Sequence, residues 1–296
     1  MITKLDSHTP VIVQGITGRM GRTHARLMRA YGTNIVGGTS THVSEATVHG
    51  MPVFATCAAA VAATGAVASV VMAPPMDTLA AVEDALEAGI KLVVTPAEGV
   101  PVHDAMKIGR AVRMSGATWV GASSPGLAIP GKMKMGFLPD ICLTPGPVAI
   151  MSKSGTLSYE VGYRLARAGL GQSLWVGVGG DAVKGVRFAD LLTSFSDHAE
   201  THAIALVGEV GGTEEEEFAV ALMARGVGKP VYALIAGREA KEGVAMGHAG
   251  ALTYGTAGTL ASKTEKLTAA GAQVFSSIES MIQRMTVDLA MYVRNG

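Results

Sequence analysis

Short runs rich in β-branched and aliphatic residues alternate with alanine-rich stretches along the whole chain, and this alternation sets the expected fold. The runs 10–14, 34–38, 68–73, 91–95 and 118–121 read as strands, with helices over 19–31, 76–88 and 102–115 between them. Strands separated by helices are βαβ units, so the sheet is expected to be mostly parallel with right-handed crossovers. Prolines at 125, 130, 139, 145 and 147, together with several glycines, break the pattern, and 123–147 reads as an interdomain segment. Strands then resume at 148–151, 174–177, 203–208, 231–235 and 273–275. Residues 278–294 close the chain as a long amphipathic helix. The expectation is an α/β protein of two small doubly wound units, 1–122 and 148–296.

Composition narrows this picture. The 296 residues are 48% hydrophobic and 16% charged, as expected of well-packed parallel sheets and not of a disordered chain. Lys+Arg and Asp+Glu balance at 24 each with no basic stripe, which argues against nucleic-acid binding. No apolar run reaches membrane-spanning length. The opening residues Met1-Ile2-Thr3-Lys4-Leu5-Asp6 lack the layout of a signal peptide, and Cys57 and Cys142 are too few for a disulfide framework or a zinc site. A cytoplasmic setting is the expectation.

Ligand sites in such sheets lie at the carboxyl ends of the strands. Gly15-Ile16-Thr17-Gly18-Arg19-Met20-Gly21 follows the first strand and opens the first helix, where glycines bring backbone amides against a phosphate. A dinucleotide site wants an acid at the end of the second strand, but that strand ends Gly37-Gly38-Thr39-Ser40. This argues against NAD and leaves coenzyme A open as the pyrophosphate ligand. Ala73-Pro74-Pro75 and Pro96-Ala97-Glu98-Gly99 are expected to wall the same cleft.

In the second half, Ser154, Gly155 and Thr156 follow a strand and open a helix, as an anion cup or as ordinary helix capping. Glu209 ends an apolar strand beside glycine, where its carboxylate could orient a histidine or face solvent. The following run Glu214–Glu217 reads as a solvated helix start, with Thr213 and Glu216 as a capping box. His248 stands among small residues, Met246-Gly247-His248-Ala249-Gly250, as a surface histidine on a loop or as a group-carrying nucleophile. His198 and His202 stand four apart with no third ligand evident, so no metal site is expected.

Together, in this order, these motifs resemble the α subunit of succinyl-CoA synthetase and its acyl-CoA ligase relatives, among them malate–CoA ligase and the small subunit of citryl-CoA synthetase. In the second half the resemblance rests on Ser152-Lys153-Ser154-Gly155-Thr156-Leu157, Gly179-Gly180-Asp181, Gly208-Glu209-Val210-Gly211-Gly212 and Met246–Gly250, the last three together being highly specific. It implies a Rossmann-like CoA-binding domain followed by a flavodoxin-like ligase domain. It also implies that Thr17, Gly18, Arg19 and Met20 meet the CoA phosphates, with Pro96, Ala97 and Glu98 further along. His248 would be phosphorylated, Glu209 would hold its ring, and Ser154, Gly155 and Thr156 would cap the phosphoryl group. Tyr159 would lie near the carboxylate substrate. A separate ATP-grasp β subunit, in an αβ or α2β2 assembly, would bring ATP or GTP and magnesium.

The chain departs from the family pattern at two places. Gly121-Ala122-Ser123-Ser124-Pro125-Gly126 stands where the family commonly has Gly-Pro-Asn-Cys-Pro-Gly, which puts Ser124 at the acyl pocket. Thr41-His42-Val43-Ser44-Glu45 replaces a Pro-Gly-Lys-Gly-Gly stretch that contacts CoA, with Val43 in the lysine position. Two other readings stand beside this one: an NAD(P)-dependent reductase, because Gly18–Arg22 also resembles the loop of dihydrodipicolinate reductase, and a non-catalytic CoA-binding subunit.

Overall fold

A computed structural model describes residues 2–42, 45–237, 248, 253 and 256–293. The chain divides into two units, Met1–Leu138 with Val183–Val186, and Pro139–Ala182 with Arg187–Gly296.

The first unit runs β1 (Val11–Gln14), α1 (Arg19–Tyr31), β2 (Ile35–Thr39), β3 (Thr47–Val48), β4 (Met51–Phe54), α2 (Cys57–Thr64), β5 (Ala68–Val71), α3 (Thr78–Glu87), β6 (Leu92–Thr95), α4 (Val102–Ser115), β7 (Thr118–Gly121), β8 (Gly126–Ile129) and β9 (Met133–Gly136). Its main sheet has the order β3-β4-β2-β1-β5-β6-β7 and is parallel except for the β3–β4 pair. β1, β5 and β6 are buried at every position, because helices cover both faces, and this is why they read as unbroken apolar runs. Ile12, Val71, Val93, Ile108 and Trp119 join in one core cluster. The strand order reverses between β1 and β5, which is the Rossmann-like arrangement with its crevice at that switch point.

β3, β4 and α2 are additions to the sequence reading. α2 begins where the Thr56 side chain accepts the Ala59 N–H and ends at Gly65 in the left-handed region. The stretch 123–147 also holds more structure than its prolines suggest. β8 and β9 pair as an antiparallel hairpin, its turn closed by Lys132 N–H to the Ile129 carbonyl at 2.9 Å. Pro125 and Pro130 lie just outside the paired strands, so no ladder bond is lost.

The second unit contains β10 (Pro145–Ser152), α5 (Gly155–Arg167), β11 (Gln172–Gly177), α6 (Phe188–Asp197), β12 (Ala203–Glu209), α7 (Glu214–Arg225), β13 (Val231–Ala236), α8 (Leu260–Ala269), β14 (Gln273–Phe275) and α9 (Ile278–Asp288). Within it the strands run parallel in the order β14-β13-β12-β10-β11. This is the flavodoxin-like order, with its switch point between β10 and β12. α9 stops at Asp288 and a short 3₁₀ turn follows over Ala290–Tyr292, so the final helix is shorter than expected. Arg294 lies outside the described residues.

Candidate active site

The first candidate site lies at the β1/β5 switch point. Gly15 turns the chain at φ +72°, where a Cβ would sit 2.7 Å from the Met72 carbonyl oxygen. Gly18 is the residue before α1, and its N–H closes the turn onto the Gly15 carbonyl at 3.0 Å. Gly21 lets the first turn of α1 lie directly on the Gly15–Ile16 backbone. The loop is thereby pressed against the sheet, and the N-terminus of α1 opens into a cleft of about 450 Å³. Gly18, Arg19, Met20, Ala73, Pro74 and Pro75 line that cleft together with Pro96, Ala97 and Glu98.

Thr17 turns towards the end of β2, where its hydroxyl lies 2.7 Å from that of Ser40. Hydroxyl groups thus fill the position where a dinucleotide site places its ribose-binding acid. Arg22 bonds the Thr17 carbonyl at 2.8 Å and pairs with Glu45, so it is spent on the loop itself. Arg19 is exposed and makes no side-chain hydrogen bond or ion pair among the described residues. Val43 lies outside the described residues. Ser124, also in this unit, is buried and accepts the Gly126 N–H at 2.9 Å.

The second candidate site lies at the carboxyl ends of β10, β11 and β12. His248 Nδ1 is 2.6 Å from Glu209 Oε2, with the two side chains 25% and 10% exposed. An ionised carboxylate only accepts, so Nδ1 carries the proton and Nε2 of the neutral ring carries the lone pair. Gly180 packs against the imidazole, where a Cβ would lie 2.6 Å from Nδ1. Gly180 follows β11 and Glu209 ends β12, and β10 runs between those strands. Glu209 and Gly180 thus hold the ring at the edge of the sheet where the carboxyl ends of the strands lie, and α5 begins at the same edge. There Ser154 is the N-cap, accepting the Leu157 N–H at 3.3 Å, and Gly155 and Thr156 form the first helical turn. A helix N-terminus at that place favours a negative group. Tyr159, one turn further along α5, has its ring centroid 6.3 Å from that of Trp175. Burial, and then the nearby Cys142, push its phenol above the ordinary range.

The glutamate run departs from the sequence reading. Glu214, Glu215 and Glu216 are buried, and the Thr213 hydroxyl bonds Glu217 at 2.7 Å instead of capping the helix. Lys153, from the β10–α5 turn, lies 3.0 Å from Glu215 and 3.8 Å from Glu214. Lys263, from α8, pairs with Glu215 and donates to the Gly211 carbonyl at 2.9 Å. Burial alone would push the Glu215 carboxyl up, but Lys153 and Lys263 outweigh it and hold it below the ordinary carboxylate range. Burial alone would pull Lys153 down, and Glu215 and Glu214 raise it instead. No local pattern announces these pairs, because the lysines stand 62 and 48 residues away in sequence from Glu215.

His198 and His202 do not share a helix. His198 follows α6 and bonds Thr201 at 2.9 Å, while His202 stacks on Tyr292.

A glycine loop at a helix N-terminus in one α/β unit and a carboxylate-held histidine in the other suit a class of proteins that bind phosphate groups and transfer them. The comparisons specify it. The CoA-binding-domain family model matches residues 6–99 and the CoA-ligase model residues 151–273. The α1 subunit of an ADP-forming succinate–CoA ligase from Archaeoglobus fulgidus is 42% identical over 281 residues, covering 95% of this chain and 96% of that one. A malate–CoA ligase α subunit from Methylorubrum extorquens is 39% identical, with 91% and 92% coverage. An ATP citrate lyase structure from Methanothrix soehngenii, in complex with citrate and coenzyme A, superposes with a TM-score of 0.86 at 22% identity. That match covers 99% of this chain and 52% of the lyase, so the chain spans about half its length and shares its fold. The chain belongs to the family of CoA-ligase α subunits. It is one subunit of an enzyme, with coenzyme A as a substrate. Among the described residues, no helix is long and apolar enough to cross a membrane.

Proposed function

We propose that this chain is the α subunit of a nucleotide-driven ligase that joins a small di- or tricarboxylic acid to CoA through a phosphohistidine on His248. The observation that carries the reading is the 2.6 Å bond from His248 Nδ1 to Glu209. It fixes the tautomer and the ring, and so directs the lone pair of Nε2 as the nucleophile.

In this reading Nε2 attacks the γ-phosphorus of a nucleoside triphosphate, and the nucleoside diphosphate leaves. Glu209 stabilises the imidazole as its charge changes, while the N-terminus of α5, with Ser154, Gly155 and Thr156, receives the phosphoryl oxygens. A substrate carboxylate oxygen then takes the phosphoryl group, giving an acyl phosphate and restoring the neutral ring. The CoA thiolate attacks the acyl carbon and inorganic phosphate departs. Positioning and charge stabilisation supply most of the catalysis in such transfers.

The first unit suits CoA. Its cleft is bounded by a helix N-terminus, glycine backbone and an exposed arginine, a donor set that fits a pyrophosphate. Thr17, Gly18, Arg19 and Met20 would meet the phosphates and Pro96, Ala97 and Glu98 the rest of the ligand, with Val43 contributing no charge. Tyr159 would contact the acid. An ATP-grasp β subunit would bring the nucleotide and magnesium, in a cytoplasmic αβ or α2β2 assembly. Reconstitution with such a subunit, followed by a screen of carboxylic acids for CoA-dependent release of nucleoside diphosphate, tests the reading. Turnover is expected only from the pair, and turnover by the purified single chain contradicts the division of labour.

A further inference from the structure

The run Glu214–Glu216 opens α7, just beyond the strand end that presents Glu209. Glu215 Oε1 accepts the backbone N–H of Glu209 at 3.0 Å, and Lys153 and Lys263 hold its carboxylate. Gly208 leaves room for this, since a Cβ there would lie 2.6 Å from that same oxygen. Lys263 also bonds the Gly211 carbonyl, so the main chain is gripped on both sides of the Glu209 side chain. The adjacent Glu216 accepts the Gly258 N–H at 3.0 Å, and Gly258 in turn accepts the Gly211 N–H at 2.8 Å. The backbone that presents Glu209 is thereby tied to the chain that returns ten residues after His248.

We propose that Glu215 is a positioning residue for the phosphoryl-carrying histidine. Paired with Lys263, it fixes the main chain of Glu209, and through it the carboxylate that holds the imidazole. This rests on His248 being the phosphoryl carrier. A buried carboxylate whose ordinary alternative is a packed apolar side chain is an expensive choice for stability alone. Its two oxygens are spent on the backbone of one site residue and on two cations, one of which grips the next loop. A catalytic hydrogen bond of 2.6 Å tolerates little displacement of either partner.

The test uses the complete enzyme with its partner subunit. Glu215→Gln keeps the shape and one acceptor but removes the charge that anchors Lys263. The expected result is a fall of at least about tenfold in the rate of His248 phosphorylation, with the KM for CoA unchanged. The decisive reading is a double-mutant cycle. In a Glu209→Gln background, adding Glu215→Gln should change the rate by less than about twofold, because the group it positions is already gone. A merely structural role would repeat the full loss in that background. The paired variant Glu215→Gln/Lys263→Gln, which removes one charge of each sign, is read beside it and should show the same slow phosphorylation. Wild-type phosphorylation rates in folded variants overturn the proposal. So do additive losses in the cycle, and so does failure of both variants to fold, which assigns the cluster to the stability of the unit. If the wild-type enzyme carries no phosphohistidine, it is the reading of His248 that has failed.

Discussion

Gly180→Ala places one methyl group against the imidazole, the group nearest that position. Gly180 lies outside the left-handed backbone region, so alanine meets no backbone penalty there. The new Cβ would sit 2.6 Å from His248 Nδ1, whereas ordinary contact begins at 3.4 Å. The ring must move by most of an ångström. It cannot move straight towards Glu209, because that bond is already 2.6 Å long. It must tilt or slide out of line, which sacrifices much of a charge-assisted hydrogen bond worth roughly 1.5–3 kcal/mol. At about 1.4 kcal/mol per factor of ten, phosphorylation should slow by about 10- to 150-fold. A partly exposed side chain gives way easily, so thermal stability should hardly change. The assay is rapid-quench measurement of acid-labile phosphate on the reconstituted enzyme, with a melting curve as control. Unchanged phosphorylation by a normally folded Gly180→Ala enzyme would refute the claim that ring placement limits the step.

Glu209→Gln should lower turnover by more than about tenfold while calorimetry finds CoA affinity near normal, because only the phosphoryl step loses its charge. Arg19→Ala should weaken CoA binding about tenfold or more by calorimetry, since a phosphate contact of this kind is worth roughly 1.5–3 kcal/mol. Arg22→Ala should act instead by loosening the loop that Arg22 bonds. The Glu215 carboxyl is held below its ordinary value of 4.5, so its stabilisation is complete above that pH and is lost as pH falls through its lower folded value. Denaturant unfolding should show Glu215→Gln less stable than wild type at neutral pH, by about 3–5 kcal/mol for a broken buried pair, with a smaller further loss on acidification.

The main architecture was legible because the buried strands are continuous apolar runs and the helices between them are periodic. α1, α4 and β7 begin and end where their turn residues place them. α2 was not legible, since five of the eight residues of Cys57–Thr64 are alanine and the helix buries only Cys57 and Ala60, leaving no stripe to read. The β8–β9 hairpin was masked by its own glycines and prolines. At the site, Glu209 and His248 were each visible as an isolated residue with two readings. Their 2.6 Å contact joins a strand end to a residue 39 positions later, which no local pattern encodes. The glutamate run was misread for the same reason. Acids in a first helical turn normally face water and suit the dipole, and only the fold brings Lys153 and Lys263 to bury them.

The most direct measurement is to label the reconstituted enzyme with magnesium and a nucleoside triphosphate carrying a marked γ-phosphate. The account predicts a single phosphate, acid-labile and alkali-stable, on His248. In His248→Asn, which should fold normally because the ring is partly exposed, the label and CoA-ligase turnover should both vanish. Full turnover by His248→Asn, or a stable label on another residue, would contradict it.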